Sequence, residues 1–136
     1  MPIISRCYPT EIMAEHNDIG RWGENIAREY LAAKGYAIVE SNVRMGKKEL
    51  DIVAMHGSRI VFVEVKTRTN PDFDPLEAMD ARKIRNLSYA ADAYVRSRRI
   101  PHEVQFDIIV IAGVPHGEYR VEHYPDAFLA PLSTTR

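Results

Sequence analysis

Three carboxylates and a lysine occur inside two short, largely apolar segments of this chain. The first segment contains Glu49 and Asp51, and the second contains Glu64 and Lys66. Acidic residues are depleted in β-strands and are rarely buried without a partner. Their position among valine, isoleucine and phenylalanine therefore indicates a chemical role.

The two segments, Lys48–His56 and Arg59–Arg68, form a predicted β-hairpin. Both are rich in β-branched residues, and they are joined by Gly57-Ser58, a pair typical of a two-residue turn. This turn aligns the strands so that three pairs are opposed: His56 with Arg59, Asp51 with Glu64, and Glu49 with Lys66. Because side chains alternate between the faces of a strand, the acids and the lysine share one face with apolar residues: Val53, Met55, Ile60 and Phe62.

Carboxylates on directly opposed residues repel each other unless a proton or a cation lies between them, since their Cβ atoms are only about 4.5–5.5 Å apart. Oxygen ligands without histidine or cysteine favour Mg²⁺ or Mn²⁺, and Mg²⁺ usually takes one or two carboxylates together with substrate phosphates. Lys66 is then placed to hold or activate a water nucleophile. The pattern predicts metal-assisted hydrolysis of phosphate esters. The alternative is an exposed glutamate–lysine pair that stabilises the sheet.

An amphipathic helix is predicted between Asp18 as its N-cap and Gly35 as its stop. Glu24 projects from one edge of this helix beside Gly20 and Ala27, whose small side chains allow close approach of another element. Two interpretations remain open for Glu24. It either reaches the acids of the hairpin or is an exposed helix acid, as most glutamates are.

A second helix is predicted to begin at Asp74, with Pro75 in its first position and Glu77 completing a capping box, and to run to about Arg98. Lys83 lies in the middle of its apolar arc. This lysine either directs its ammonium group to the edge of the core or extends toward the acids as a phosphate contact.

Three further strands are predicted, at residues 36–43, 105–112 and 118–124, the last as an edge strand. The resulting order, α-β-β-β-α-β-β, indicates a single α/β domain with a central mixed sheet of about five strands flanked by helices. This domain is assigned to residues 18–124. Residues 1–17 are expected to form a loosely ordered extension, with Met13 as a second candidate start, and residues 125–136 a C-terminal tail.

Charge and cysteine content narrow the class of protein. The formal net charge is −1 and the isoelectric point about 6.5, so the chain is not overtly basic. Positive residues that precede the hairpin, follow it or lie on the next helix are nevertheless expected to surround the acids: Arg44, Lys47, Lys48, Arg68, Arg82, Lys83 and Arg85. The single cysteine excludes an intramolecular disulfide, and the histidines lack the spacing of a zinc site. No membrane segment or signal peptide is recognisable, and a cytoplasmic location is expected.

The ordered motifs of the chain resemble the YraN-like family of bacterial proteins. The resemblance covers nearly everything from Asp18 to Ala112 and rests on these residues: Gly20-Arg-x-Gly23-Glu24, Asn42-x-Arg44, Glu49-Leu50-Asp51-Ile52-Val53-Ala54, Phe62-Val-Glu64-Val-Lys66-Thr-Arg68, Pro75-x-Glu77-Ala78, Lys83 and Phe106-Asp107. Such proteins resemble the PD-(D/E)xK nuclease superfamily, most closely the archaeal Holliday junction resolvases. Leu50 stands where the name of the superfamily has proline.

The resemblance implies a restriction-endonuclease-like fold and a Mg²⁺- or Mn²⁺-dependent endodeoxyribonuclease that acts on DNA, including branched or structured DNA. It assigns catalytic roles to four residues: Glu24, Asp51, Glu64 and Lys66, of which the three acids are the implied metal ligands. Supporting or substrate-binding roles are assigned to Glu49, Arg44, Arg68 and Lys83. A homodimer is expected by analogy, because a symmetric junction needs two sites.

Two other function classes remain open. One is a nucleic-acid-binding or assembly protein that keeps the nuclease fold without turnover. The other is a protein-interaction module in which the acids serve only to fix the sheet. Fold resemblance alone does not decide among the three.

Overall fold

The computed structural model describes residues 3–7, 16–69, 79–115 and 117–129. Within these residues the chain forms six strands and two helices in this order: β1 (Ile3–Cys7), α1 (His16–Ala33), β2 (Ala37–Met45), β3 (Lys48–His56), β4 (Arg59–Arg68), α2 (Ala81–Ser97), β5 (Glu103–Gly113) and β6 (Tyr119–Phe128).

All six strands belong to one mixed sheet. Their order across the sheet is β1-β6-β5-β4-β3-β2, with β4 and β5 parallel and every other neighbouring pair antiparallel. Parallel neighbours need a crossover connection, and α2 lies in the connection from β4 to β5. The predicted α/β class, the mixed sheet and the order α-β-β-β-α-β-β are confirmed for the elements from α1 to β6.

The strand β1 is an addition to that prediction. It lies within the segment expected to be loosely ordered, and it pairs antiparallel with β6, from Ile3 opposite His123 to Cys7 opposite Tyr119. The prediction that β6 is an edge strand is therefore wrong, and β6 also continues to Phe128, beyond its predicted end. Its interior position was hard to predict because two of its buried residues, Glu122 and His123, are polar.

The start of α2 also differs from the prediction. The proposed cap from Asp74 to Glu77 lies outside the described residues. Among those described, Asp80 has an extended backbone (φ −76°, ψ 174°), and its side chain accepts a hydrogen bond from the Lys83 amide. A helix continuous through Asp80 is therefore wrong, because this aspartate caps the helix and does not lie inside it.

An apolar layer covers each face of the sheet. Beneath α1 it includes Trp22, Leu31, Ile52, Val61, Val63, Ile109 and Ile111. Beneath α2 it includes Val53, Ile60, Phe62, Ala90, Tyr94 and Phe106, with Met55 packed at its border. The apolar residues of the predicted common face of the hairpin thus lie on the α2 face. In β3 the alternation is interrupted, because Leu50 packs beneath α2 and Ile52 beneath α1, so the prediction that Glu49 and Asp51 share this face is not confirmed. By strand alternation, Glu64 and Lys66 continue this face beyond Phe62.

Candidate active site

The hairpin opens at the acids. Its predicted register is confirmed from His56 opposite Arg59 to Ile52 opposite Val63. Beyond that pair β3 continues beside β2, and β4 continues beside β5, so the two strands separate. The amide of Val65 donates to Asp51 Oδ2 at 2.9 Å. The Asp51 carboxylate thus accepts a hydrogen bond from a backbone amide of β4 that lies beyond the β3–β4 pairing. This bond connects the two strands where they separate.

Asp51 and Glu64 meet at this separation. Their side chains are hydrogen-bonded to each other, and only 6% of Glu64 is exposed. Burial, and then the negative charge of Glu64, raise the pKa of Asp51 to about 8, whereas the Val65 amide works in the opposite direction. With a pKa of about 8, the Asp51 carboxyl group of the metal-free protein is mostly protonated at neutral pH.

Two lysines bind the same oxygen of Glu64. Lys66 Nζ lies 3.1 Å and Lys83 Nζ 3.0 Å from Glu64 Oε2. Lys66 comes from β4 itself, and Lys83 comes from the first turn of α2. Two interpretations of Lys83 were open, and in the structure its side chain extends toward the acids.

Glu24 approaches these groups from α1. Its side chain is hydrogen-bonded to Asn42 on β2. Burial raises the pKa of Glu24, and the charges of Glu49 and Glu64 raise it further, although Asn42 opposes them. Glu24 is therefore within electrostatic reach of both acids. We call Glu24, Glu49, Asp51 and Glu64 the acid cluster.

The position of α1 depends on Gly23. A Cβ atom added there would overlap the Thr67 methyl group, and Thr67 lies next to Lys66 on β4. Gly20 has nothing within 4 Å of such an atom. Of the two glycines, Gly23 is the one that allows α1 to lie close enough to β4 to bring Glu24 to the acid cluster.

The remaining predicted residues lie at or beyond the rim. Glu49 and Arg44 are both exposed and are opposed across β3 and β2. Arg68 is bound elsewhere: its Nη2 lies 2.9 Å from Oε2 of buried Glu122, which also accepts from Arg120 Nε at 2.8 Å. The structure therefore brings Lys83 to the acids and places Arg68 in an ion pair with β6.

The acid cluster has the type of ligand atoms that a divalent metal needs, but its side chains are not arranged around a common point. Among the described residues, no three carboxylate, histidine or cysteine side chains converge as ligands of one ion. The two carboxyl groups in contact, Asp51 and Glu64, nevertheless supply the oxygen ligands that Mg²⁺ and Mn²⁺ prefer, and one or two carboxylates suffice for Mg²⁺. Without a metal, the proton of Asp51 and the ammonium groups of the two lysines offset the negative charge.

Sequence reasoning did not assign a site role to Asn42 or Gly23. Asn42 has a backbone φ of +54°, a left-handed conformation that asparagine adopts more readily than most residues. An asparagine inside a strand-like run was the available signal for this irregularity. Nothing in the sequence indicated that its side chain would meet Glu24, since that contact depends on how α1 packs on the sheet.

A comparison with known families places this site within a larger group of proteins. The sequence model that matches is described as an uncharacterised protein family, UPF0102, and it covers residues 23–111. This is well over half of the chain. The chain belongs to the UPF0102 family. The predicted resemblance to the YraN-like family is thereby confirmed, and the segment shared with UPF0102 contains the whole acid cluster and both lysines.

Two UPF0102 relatives illustrate the similarity. One, from Bacteroides thetaiotaomicron, is 48% identical over 121 residues, which are 88% of this chain and 99% of the relative. Another, from Porphyromonas gingivalis, is 47% identical over 118 residues, which are 85% and 87% of the two chains. The similarity therefore extends over nearly the whole length of both proteins.

The chain also has a weaker likeness to solved structures. One of them, SfsA of Pyrococcus furiosus in complex with Ca²⁺, aligns with a TM-score of 0.40 and 16% identity, over 83% of this UPF0102 chain and 64% of the other. A likeness this low does not indicate a shared site. In the part of the chain that the structure describes, neither helix is long and apolar enough to cross a membrane.

Proposed function

We propose that this protein is a Mg²⁺- or Mn²⁺-dependent nuclease that hydrolyses phosphodiester bonds in DNA. The observation that carries the proposal is the contact of Asp51 with Glu64 at the separation of two strands, with Lys66 and Lys83 bound to Glu64. Bringing three ionisable groups together around the buried carboxylate of Glu64 is costly for a fold. The arrangement supplies what phosphoryl chemistry needs: oxygen ligands for a cation and positive charge for a phosphate.

Each acid has a proposed role. Asp51 and Glu64 would hold the metal, Glu24 would complete the ligand set from α1, and Glu49 would support the site from its rim. A bound metal polarises a phosphoryl oxygen and lowers the pKa of a water molecule. The Val65 amide keeps Asp51 in place, and Asn42 does the same for Glu24.

The lysines act on the water and on the phosphate. Lys66 would position the attacking water and help to activate it, and Lys83 would donate to a phosphate oxygen. An ammonium group has three donors. Their bonds to Glu64 therefore leave both lysines able to bind a water or a phosphate oxygen at the same time.

The choice of DNA rests on the resemblance to PD-(D/E)xK nucleases and on two basic residues beside Glu49, namely Arg44 opposite it on β2 and Lys48 before it on β3. Positive charge around an acidic centre offsets the repulsion of a phosphate backbone. Branched or structured DNA is the proposed substrate because the resemblance is greatest to junction resolvases, and a homodimer would then supply two sites.

A metal titration combined with a cleavage assay tests the proposal. Mn²⁺ and Mg²⁺ are titrated calorimetrically into the wild type and into Asp51→Asn, and both proteins are then incubated with linear, single-stranded, flap and four-way DNA. We expect saturable binding and cleavage in the wild type and loss of both in the variant. Asp92→Asn is the matched control, because Asp92 is an exposed acid of α2 paired with Arg96. Unchanged binding and cleavage in Asp51→Asn would overturn the proposal.

One observation favours a second candidate, a nucleic-acid-binding or assembly protein without turnover. Glu64 is bound by two lysines, and the acids do not converge as a set of metal ligands in the described residues. This candidate predicts DNA binding that depends on salt but not on metal or Asp51. The same titration distinguishes the two candidates, because only the nuclease loses its metal binding and cleavage in Asp51→Asn.

A further inference from the structure

One exposed face of α2 combines cations with an aromatic ring. Arg82, Arg85, Asn86 and Tyr89 occupy positions spaced as i, i+3, i+4 and i+7, and all four are exposed. Residues with this spacing lie on the same face of a helix. We call these four residues the α2 stripe. Its side chains offer hydrogen-bond donors and a ring, and the first acidic residue of α2 is Asp92.

The charges of this stripe oppose the helix dipole. The N-terminal end of a helix is partially positive, so acidic residues stabilise it and basic residues destabilise it. The first turn of α2 has no acidic residue, and Arg82, Lys83 and Arg85 lie within its first five residues. Apart from the Asp80 cap, the residues of the first turn therefore destabilise α2. Such locally unfavourable residues are common at sites that bind a ligand.

Tyr89 gives the stripe an open aromatic surface. It is 70% exposed and is the one aromatic residue among the exposed large hydrophobic residues that the structure describes. Lys48 Nζ, from the start of β3, lies 5.5 Å from the centre of its ring. A cation near the ring is attracted to its face and holds the tyrosine in place. The exposed part of the ring remains available to a ligand with a second π system.

Two separate estimates, one along β3 and one along α2, place the Tyr89 ring near the acid cluster. Lys48 precedes Asp51 by three residues of β3, or about 10 Å along a strand. Tyr89 follows Lys83, which binds Glu64, by six residues of α2, or about 9 Å along a helix. These distances correspond to about three nucleotides of a stacked strand, which advances roughly 3.4 Å per nucleotide.

We propose that the α2 stripe, together with Lys48, binds an unpaired strand of nucleic acid next to the acid cluster. One base stacks on Tyr89, and the backbone phosphates contact Arg82 and Arg85. That the ligand is a nucleic acid rests on the proposed function. The stripe adds the substrate class, a nucleic acid with an unpaired segment. Bases within a duplex already stack on their neighbours, so a ring on a helix surface is offered to unpaired bases.

The experiment measures binding without metal. Fluorescence anisotropy in the presence of a chelator compares a labelled thymine single strand with a blunt duplex of equal length, for the wild type, Tyr89→Ala and Tyr89→Phe. We expect Tyr89→Ala to weaken single-strand binding by about 5- to 150-fold, the usual effect of losing one stacked base. Tyr89→Phe keeps the ring and should bind as the wild type does. Duplex binding should change by less than about twofold in both variants.

Charge is tested with a pair of variants on the same helix. Arg85→Ala should weaken single-strand binding and reduce its salt dependence by about 0.7 in log–log slope, the amount for one phosphate contact. Arg96→Ala removes the same charge about 16 Å further along α2, from a residue paired with Asp92, and should change neither quantity. Circular dichroism of each variant confirms that α2 is retained.

The proposal is overturned if Tyr89→Ala binds the single strand as tightly as the wild type, if it loses single strand and duplex equally, or if the wild type binds neither. Its failure is separable from failure of the proposed function. A wild type that needs Tyr89 for the single strand but cleaves no DNA with Mn²⁺ or Mg²⁺ contradicts hydrolysis alone. Cleavage that persists unchanged in Tyr89→Ala, on substrates with and without unpaired strands, contradicts the stripe alone.

Discussion

Glu64 shares one carboxylate oxygen between two lysines and lies against the carboxyl group of Asp51. A divalent ion that binds Glu64 must compete with positive charges already in place. Repulsion between a divalent ion and a nearby ammonium group is substantial in a partly buried site. The metal affinity of the acid cluster should therefore be limited by its lysines.

Replacing one of these lysines should strengthen metal binding. We expect Lys83→Gln to bind Mn²⁺ about three- to tenfold more tightly than the wild type, because a competing charge near Glu64 is removed. Calorimetric titration measures the change. Arg85→Gln removes a charge from an exposed residue two positions along the same helix and is the matched control. An affinity that stays the same or falls in Lys83→Gln would show that the lysine does not compete with the metal.

The residues of the site were predictable to different degrees. The Gly57-Ser58 turn was enough to set the register from His56 opposite Arg59 to Ile52 opposite Val63, because strand register follows from turn length. The predicted strand pairs of Asp51 with Glu64 and of Glu49 with Lys66 lie beyond the end of this pairing and are not formed, although the side chains of Asp51 and Glu64 meet. The position of Lys83 on its helix was also clear, but helical spacing does not fix the direction of a long, flexible side chain. The ion pair of Arg68 with Glu122 was beyond prediction, since it joins strands separated by α2 and β5.

Among the elements, α1 lies close against β4 at Gly23. We expect Gly23→Ala to destabilise the protein by about 1–3 kcal/mol, because the added methyl group overlaps Thr67, whose branched side chain has little freedom to move. The displacement of α1 should also move Glu24 and weaken Mn²⁺ binding. Chemical denaturation and calorimetry measure the two effects.

Two further variants isolate the cause. Gly20→Ala makes the same change in the same helix where nothing lies within 4 Å, and should stabilise the protein by up to about 1 kcal/mol through helix propensity. Adding Thr67→Ser to Gly23→Ala removes the overlapping methyl group and should restore most of the lost stability. If the double variant is no more stable than Gly23→Ala, the contact with Thr67 does not position α1.

The elements also differ in how far the sequence determines them. The bounds of β3 and β4 agree with the prediction at both ends, because their apolar pattern is interrupted only by the turn between them. The strand β1 was missed because it is short, and its pairing with β6 joins distant parts of the chain. The start of α2 was placed too early, because Asp74 and Asp80 both resemble caps and local sequence does not decide between them.

At the scale of the whole molecule, another buried acid, Asp107, has a pKa shifted in the opposite direction from that of Asp51. Asp107 is completely buried and accepts hydrogen bonds at 2.8–2.9 Å from the Tyr36 hydroxyl, the Gln105 amide and the backbone amide of Asp126, with His123 Nε2 also 2.8 Å away. Burial opposes its ionisation, but these bonds outweigh burial and hold the pKa of Asp107 below its ordinary value. The folded protein therefore favours the ionised form of Asp107, whereas it favours the protonated form of Asp51.

These two acids should give the stability of the metal-free protein an unusual dependence on pH. The lowered pKa of Asp107 contributes stability that is present above pH 3.8 and lost as the pH falls through the folded value. The raised pKa of Asp51 contributes stability that is present below pH 3.8 and lost as the pH rises to about 8. We expect Asp51→Asn to be more stable than the wild type at pH 8, by about 1–3 kcal/mol, and the difference to shrink toward pH 4.

Denaturant unfolding of both proteins across this pH range, with a chelator present, measures the difference. Saturating Mn²⁺ should then stabilise the wild type more than Asp51→Asn, because a ligand that binds the folded state stabilises it by mass action. Parallel stability curves for the two proteins from pH 4 to pH 8 would contradict the raised pKa of Asp51.

The pairing of β1 with β6 has a consequence for the order in which the sheet is completed during synthesis. The ribosome makes β1 before both helices and the other five strands, at about 5–20 residues per second. For several seconds the backbone of Ile3–Cys7 therefore exists without its partner strand. An unpaired strand can bind other chains. The last strand that the structure describes, β6, thus pairs with the first, and pausing of translation before Tyr119 should increase co-translational aggregation.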